Sequence, residues 1–148
     1  MDAPGPSSAP SAVAVVVVES ERFLVIRRAE GITAGGYWTP VTGRPEAGEA
    51  LVATARRECL EEVGLPVEVG EEVYRCHTAD GRWLLHWLQA TVPAEHPREA
   101  GLPTLTLEPR EVAEARWLTA SEARELTPMF PATRAFYAAR VIGGWSSR

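Results

Sequence analysis

Lysine is missing from this chain, and all fifteen of its Lys-plus-Arg positions are arginine. The basic side is also the minority, because twenty Asp and Glu residues leave a net charge of -5. Binding to a nucleic-acid polymer needs a basic footprint along the phosphates, so such a partner is not expected. Small anionic substrates stay open, since a bound cation inverts the local sign of a site. Cysteine is scarce as well. Cys59 and Cys76 are the two in the chain and form no CxxC pair, which excludes a disulfide framework and leaves a structural zinc site without support. The longest apolar run, Ala12 to Val18, is far too short to cross a bilayer. The opening residues, MDAPGPSSAPS, contain neither a basic region nor an apolar stretch, so no signal peptide is expected. The expectation is a cytoplasmic protein without a membrane partner. Residues 1–11 would be a flexible leader and 12–148 one domain.

What is present supports a folded domain, with 148 residues, 45% of them hydrophobic and 24% charged. Ala12 to Val18 is continuous and rich in valine, as in a strand covered on both faces. A turn at Glu19 to Glu21 precedes a second strand over Phe23 to Arg28. Tyr37 to Thr42 predicts a short strand despite Pro40. From Glu49 to Val63 the period becomes helical, with Val52, Ala55, Cys59 and Val63 on an apolar arc and Gly64 and Pro66 as stop signals. Strands over Val67 to His77 and Arg82 to Val92 would be joined by a turn at Ala79-Asp80-Gly81. Pro93 to Pro109 reads as a loop and Val112 to Leu118 as a strand. Helices are expected over Ser121 to Leu126 and Pro131 to Val141, the last with Phe136, Ala139 and Ile142 toward a core. The order of elements predicts an α/β (α+β) fold.

The helix of residues 49–63 carries the chemistry. Glu58, Glu61 and Glu62 stand at i, i+3 and i+4, which places them on one arc of about 100°. Like charges so close repel by a few tenths of a kcal/mol per pair. Such a cluster is tolerated when fully solvated and is useful when it holds a cation. Carboxylate oxygens are the ligands Mg²⁺ prefers, beside waters and substrate phosphates.

The surrounding segment, GRPEAGEALVATARRECLEEVGL from Gly43 to Leu65, resembles the box of the Nudix hydrolase family, G-x5-E-x7-R-E-U-x-E-E-x-G-U. All seven fixed letters stand at the right spacing, a chance match on the order of 10⁻⁹ per starting point. Cys59 takes a position where the family usually has Ile, Leu or Val; a buried cysteine acts there as a small hydrophobe. The resemblance implies the Nudix fold, an α/β/α sandwich around a mixed β-sheet. It further implies attack of water on phosphorus in a diphosphate linkage, with Mg²⁺ (or Mn²⁺) as cofactor. By the same resemblance the carbonyl of Gly43 and the carboxylates of Glu58, Glu61 and Glu62 are metal ligands. Arg57 orients the loop and the acidic residues. Glu49 lies near the helix start, where the dipole favours a carboxylate; with Arg27 and Trp38 it is assigned to substrate binding. Family members take the general base either from the box or from a later loop, so Glu58, Glu61 and Glu62 compete with Glu108, Glu111 and Glu114. Glu111 is the preferred later one. A homodimer is suggested by analogy with many relatives.

The substrate must be read outside the box. Tyr37-Trp38-Thr39-Pro40-Val41-Thr42-Gly43 is similar to the W-x-x-VTG approach of dihydroneopterin triphosphate pyrophosphohydrolases. The default expectation is a nucleoside triphosphate or another nucleoside diphosphate derivative. Trp38, Trp83, Trp87 and Phe130 are candidates for stacking on a base, and Arg27 and Arg28 for meeting phosphates. His77, His86 and His96 receive no role. A nucleotide-sensing domain without turnover is the reading from a different class. An isomerase of isopentenyl diphosphate would need a well-placed cysteine, and Cys59 lies on the wrong arc.

Overall fold

The computed structural model describes residues 9–143, with side chains as far as Val141. Most of the proposed leader lies outside the described residues, and its last residue, Ser11, already begins β1 (Ser11–Glu19). This strand is the centre of the molecule. Its odd-numbered valines face one apolar core and its even-numbered residues the other, so the whole valine run is buried.

β1 runs parallel to β6 (Leu84–Thr91) from Ser11 to Val18. Its other edge is shared. β2 (Arg22–Arg28) pairs with it at Val18 and Glu19, and β4 (Val41–Gly43) pairs with it at Val13 to Val15. β2 also carries β3 (Trp38–Thr39) and β9 (Val112–Leu118), while β5 (Glu68–His77) pairs with β6. The result is a seven-stranded mixed sheet. α1 (Leu51–Val63) covers one face through Ala55, Cys59 and Val63. α2 (Ala120–Ala123) and α3 (Pro131–Gly143) cover the other, with Phe136 and Tyr137 against Phe23 and Trp87. The architecture is the expected α/β/α sandwich. Among the described residues no helix is long and apolar enough to cross a membrane.

Several local expectations are corrected. The strand foreseen over Tyr37 to Thr42 is two short strands separated by Pro40, whose missing N–H cannot continue a ladder. The loop from Pro93 to Pro109 contains a small hairpin of β7 (Arg98–Glu99) and β8 (Leu102–Pro103). The first helix begins two residues later than its period suggested, at Leu51. Val52, assigned to its apolar arc, is 44% exposed, and Thr54 is buried instead. Thr54 is accepted there because its hydroxyl is satisfied by Glu49 at 2.8 Å and the Ala50 carbonyl at 3.1 Å. In α3 Ala139 is exposed and Tyr137 takes the core position, while the side chain of Ile142 lies outside the described residues.

The end of α1 fixes where the acidic residues meet the rest of the chain. Gly64 closes the helix at φ 71°, with N–H bonds from Gly64 to Leu60 and from Leu65 to Cys59. Two of the helix's last carbonyls are then taken by the loop that precedes β9. Thr106 donates to Val63 and Glu108 to Glu62, both at 2.9 Å. That loop is thereby strapped to the acidic end of the helix.

Candidate active site

Arg57 is the hub of the box. It grips both oxygens of Glu49, at 2.9 Å from Nε and 2.8 Å from Nη2. Nη2 also donates to the Arg44 carbonyl at 3.0 Å, and Nη1 to Glu58 at 3.0 Å and Glu61 at 3.4 Å. The planar fork of arginine is what allows one side chain to serve so many acceptors. Glu49 also receives Thr54 and the amide of Glu46. With Arg57 as the largest influence, its carboxyl is held down to about 2. The Arg57 guanidinium is correspondingly raised. Glu49 therefore acts on the loop of residues 44–49 and on Arg57; it does not line the cleft that Glu58 and Glu62 face.

Glu58 and Glu62 behave in the opposite way. Glu62 is 3% exposed, and burial, followed by repulsion from Glu58 and Glu111, pushes its carboxyl well above the ordinary range. Glu58 is raised by burial and by its contact with Glu61, against the pull of Arg57. Each contact between two carboxylates needs a shared proton or a cation to be favourable. Among the described residues no three His, Cys, Asp or Glu side chains are gathered to hold an ion as they stand. The donor set is nevertheless all oxygen and partly desolvated, with charge in excess, and it fits a hard divalent cation. Close approach adds to the fit. A Cβ on Gly43 would come to 2.0 Å from a Glu58 carboxylate oxygen.

Glu58 and Glu62 line a cleft with a cavity volume of about 1050 Å³. Gly43, Glu58, Glu62 and Glu111 line it together with Arg28, Arg44 and Arg82. Glu111 arrives through the strapped loop, and its carbonyl accepts the amide of Ala29 at 2.9 Å. Of the three later glutamates it alone faces the cleft. Glu108 turns to Arg110, and Glu114 pairs with Arg27 and Arg116. Arg28 is fixed by the Thr33 carbonyl at 2.7 Å and the Thr42 hydroxyl at 3.1 Å. Burial lowers its guanidinium pKa while Glu62 and Glu111 oppose the shift.

The remaining sequence candidates separate. Arg27 and Trp38 are not in the cleft. Arg27 reaches Glu114 at 3.3 Å, and Trp38 is buried in the core beneath α3 with Arg27 and Arg116 over its ring. Glu61 is exposed at the rim and touches Glu58 and Arg57. Trp83, Trp87 and Phe130 do line the cleft, Trp87 fully buried as part of the core. Arg44 and Tyr37 also line the cleft and were not among the sequence candidates. His86 is buried between Ser11 and Glu72, and His96 bonds to the Thr104 carbonyl.

The chain matches the NUDIX domain family over residues 8–139. A stretch of 80 residues is 44% identical to an octanoyltransferase of Myxococcus xanthus, covering 51% of this chain and only 21% of that protein. The MutT protein of Methanosarcina mazei Go1 superposes with a TM-score of 0.71 at 19% identity, covering 95% of this chain and 99% of the other. The MutT NUDIX hydrolase of Burkholderia pseudomallei does so with a TM-score of 0.66 at 20% identity, covering 89% and 98%. These likenesses give the same three-layer fold independently of the box. With the family match extending well beyond the helix and its loop, the chain belongs to the NUDIX hydrolase family.

Proposed function

We propose that this chain is a cytoplasmic pyrophosphohydrolase, dependent on Mg²⁺ or Mn²⁺, for a nucleoside triphosphate or another nucleoside diphosphate-linked substrate. The observation that carries this reading is the mutual crowding of Glu58 and Glu62, with Glu111 beside them, in the lining of a cleft of about 1050 Å³. That cavity is at the upper limit of the usual range for small-molecule sites and has room for a head group as well as a diphosphate.

Glu58, Glu61 and Glu62, with the Gly43 carbonyl, would hold the cation. Once bound, it neutralises phosphate oxygens and lowers the pKa of water. Arg28 faces the same carboxylates and would take a phosphate oxygen in a charge-assisted bond. Arg57 positions Glu58 and the loop, so that the acidic group is set before substrate arrives. Glu111 is the candidate general base, since it joins the carboxylate group from a loop of its own and lines the cleft. The Val41-Thr42-Gly43 run that resembles the pterin enzymes forms β4 and pairs with β1, so it serves the fold whatever the substrate.

The test is phosphate or pyrophosphate release in Mg²⁺ across nucleoside triphosphates, nucleotide sugars, dinucleoside polyphosphates and dihydroneopterin triphosphate. Glu62→Gln is the control. Turnover of one class that falls at least 10²-fold in this variant is expected. Equal turnover by the variant, or silence from the folded wild type across the panel, would refute the proposal and favour a sensing domain.

A further inference from the structure

His86 interrupts an apolar strand face. It stands on the side of β6 from which Leu88 and Ala90 enter the core beneath α1, yet its imidazole is buried with both ring nitrogens engaged. Nε2 lies 3.0 Å from the Ser11 hydroxyl, and Nδ1 lies 3.0 Å from Glu72 Oε1. Arg75 grips both oxygens of Glu72, at 2.6 Å from Nε and 3.2 Å from Nη2. These side chains come from three neighbouring strands, β1, β6 and β5. The backbone already pairs Ser11 with Leu84 and His86 with Arg75, so the register of the sheet does not depend on them.

The proton positions follow from the charges. Arg75 is the largest influence on Glu72 and holds its carboxyl below the ordinary range, so this carboxylate accepts and does not donate. Nδ1 therefore carries the proton that it gives to Glu72. In the neutral ring Nε2 is then a bare acceptor, and the Ser11 hydroxyl is its donor. A hydroxyl aimed at an imidazole lone pair, with a carboxylate orienting the ring from its far side, is the arrangement that activates serine as a nucleophile. None of these three residues lines the acidic cleft. Their neighbours Ala12 and Leu85 do, from the opposite face of the sheet. Ser11 is half-buried and opens β1 directly after the exposed Pro10, which puts the nucleophile at the surface end and the base beneath it.

We propose that Ser11, His86 and Glu72 form a second reactive centre, separate from the cleft, that takes the acyl group of an aryl ester or a thioester. Ser11 Oγ bonds to the carbonyl carbon while its proton passes to Nε2. The bond from that carbon to the leaving oxygen or sulfur breaks, the leaving group takes the proton from Nε2, and the acyl group stays on Ser11. Water then bonds to the same carbon and gives its proton to Nε2. The Oγ–C bond breaks, Oγ recovers the proton, and a carboxylic acid departs. Glu72 keeps the ring in the working tautomer and balances the imidazolium formed in each half, and Arg75 positions Glu72. Activated acyl groups are the fitting class because their leaving groups depart with little help.

A fluorophosphonate probe tests the nucleophile without turnover, since Oγ displaces fluoride and the reaction stops at the phosphonyl adduct. Intact mass and peptide mapping should find one adduct, on Ser11 of the folded wild type, and none in Ser11→Ala. In Glu72→Gln the amide can donate to Nδ1 and drive the ring proton to Nε2. Labelling of that variant should slow about 10-fold or more, a change that a merely structural network would not produce. p-Nitrophenyl acetate should be hydrolysed by the wild type in the presence of a chelator, and not by Ser11→Ala. A folded wild type without an adduct on Ser11 overturns the centre, and this mapping decides even where a variant fails to fold. Labelling as fast in Glu72→Gln as in the wild type, or ester hydrolysis unchanged in Ser11→Ala, overturns it as well.

Discussion

Replacing Gly43 by Ala adds one methyl group at the point where the box loop meets the acidic helix. The new carbon would lie 2.0 Å from one Glu58 oxygen, 2.2 Å from its Cγ and 2.3 Å from its Cδ. Ordinary non-bonded separation is about 3.5 Å, so the Glu58 side chain must retreat by about 1.5 Å. Misplacement of a reacting group by about 1 Å costs on the order of 10²-fold in rate. The expected fall in kcat/KM is therefore at least about 10²-fold, or about 2.7 kcal/mol of transition-state stabilisation. Stability should change far less. The methyl group breaks only the partly exposed Glu58–Arg57 ion pair, worth up to about 1 kcal/mol, which for a chain of this size moves Tm by about 2–4 °C. The assay is Mg²⁺-dependent hydrolysis beside a melting curve with and without Mg²⁺. Activity should collapse and the Mg²⁺-induced rise in Tm should shrink. The double variant Gly43→Ala/Glu58→Ala has neither the clash nor the ion pair, so its Tm should match that of Glu58→Ala alone while its activity stays lost. Activity within about 3-fold of wild type in Gly43→Ala would refute the close approach, as would a double variant that melts as far below Glu58→Ala as Gly43→Ala melts below wild type.

Two further predictions concern the charges around Glu58. Arg57→Lys keeps the positive charge but cannot serve Glu49, Glu58 and the Arg44 carbonyl together, so kcat/KM should fall about 10-fold or more; unchanged turnover would mean that the clamp is dispensable. In the metal-free protein the carboxyl of Glu58 is pushed up to about 7 and that of Glu62 up to about 9, from an ordinary 4.5. Groups raised on folding favour the native state while protonated. Their contribution is complete below about pH 4.5 and is lost as pH rises through 7 to 9. Metal-free Tm should accordingly decline across that window, Mg²⁺ should stabilise more at pH 9 than at pH 6, and Glu62→Gln should flatten the metal-free decline. A metal-free Tm that rises with pH through the window would contradict the sign.

How far the sequence discloses this molecule depends on the reach of the interactions. The valine run of β1, the helix stop at Gly64 and the Asp-Gly turn are local in cause, and each element formed where its own residues indicated. The box was legible because its seven fixed letters serve one helix and one loop. Thr54 was not legible as a core residue, because its acceptance depends on Glu49, five positions earlier and outside the helix. The same holds for the arginine pair of β2. Alternation sends Arg27 and Arg28 to opposite faces, but which of them meets the acidic helix depends on the partner strand. β9 pairs Arg27 with Glu114 and Arg28 with Val112, skipping a residue, and this irregularity falls beside the cleft. Arg27 is thereby neutralised on the far face, while Arg28 is left toward Glu62 and Glu111. The aromatic lining of the cleft was legible only in part: Trp83 and Phe130 were candidates, whereas Tyr37 was not and Trp38 lies in the core. Tyr37, Trp83 and Phe130 come from three loops separated along the chain, and only the assembled sheet brings them to one cavity. The acidic end of the cleft is thus written largely in one contiguous segment, joined by Arg28 and Glu111, whereas its aromatic lining is distributed over turns that the segment does not specify. Substitutions in those turns reshape the cleft without touching a fixed letter of the box.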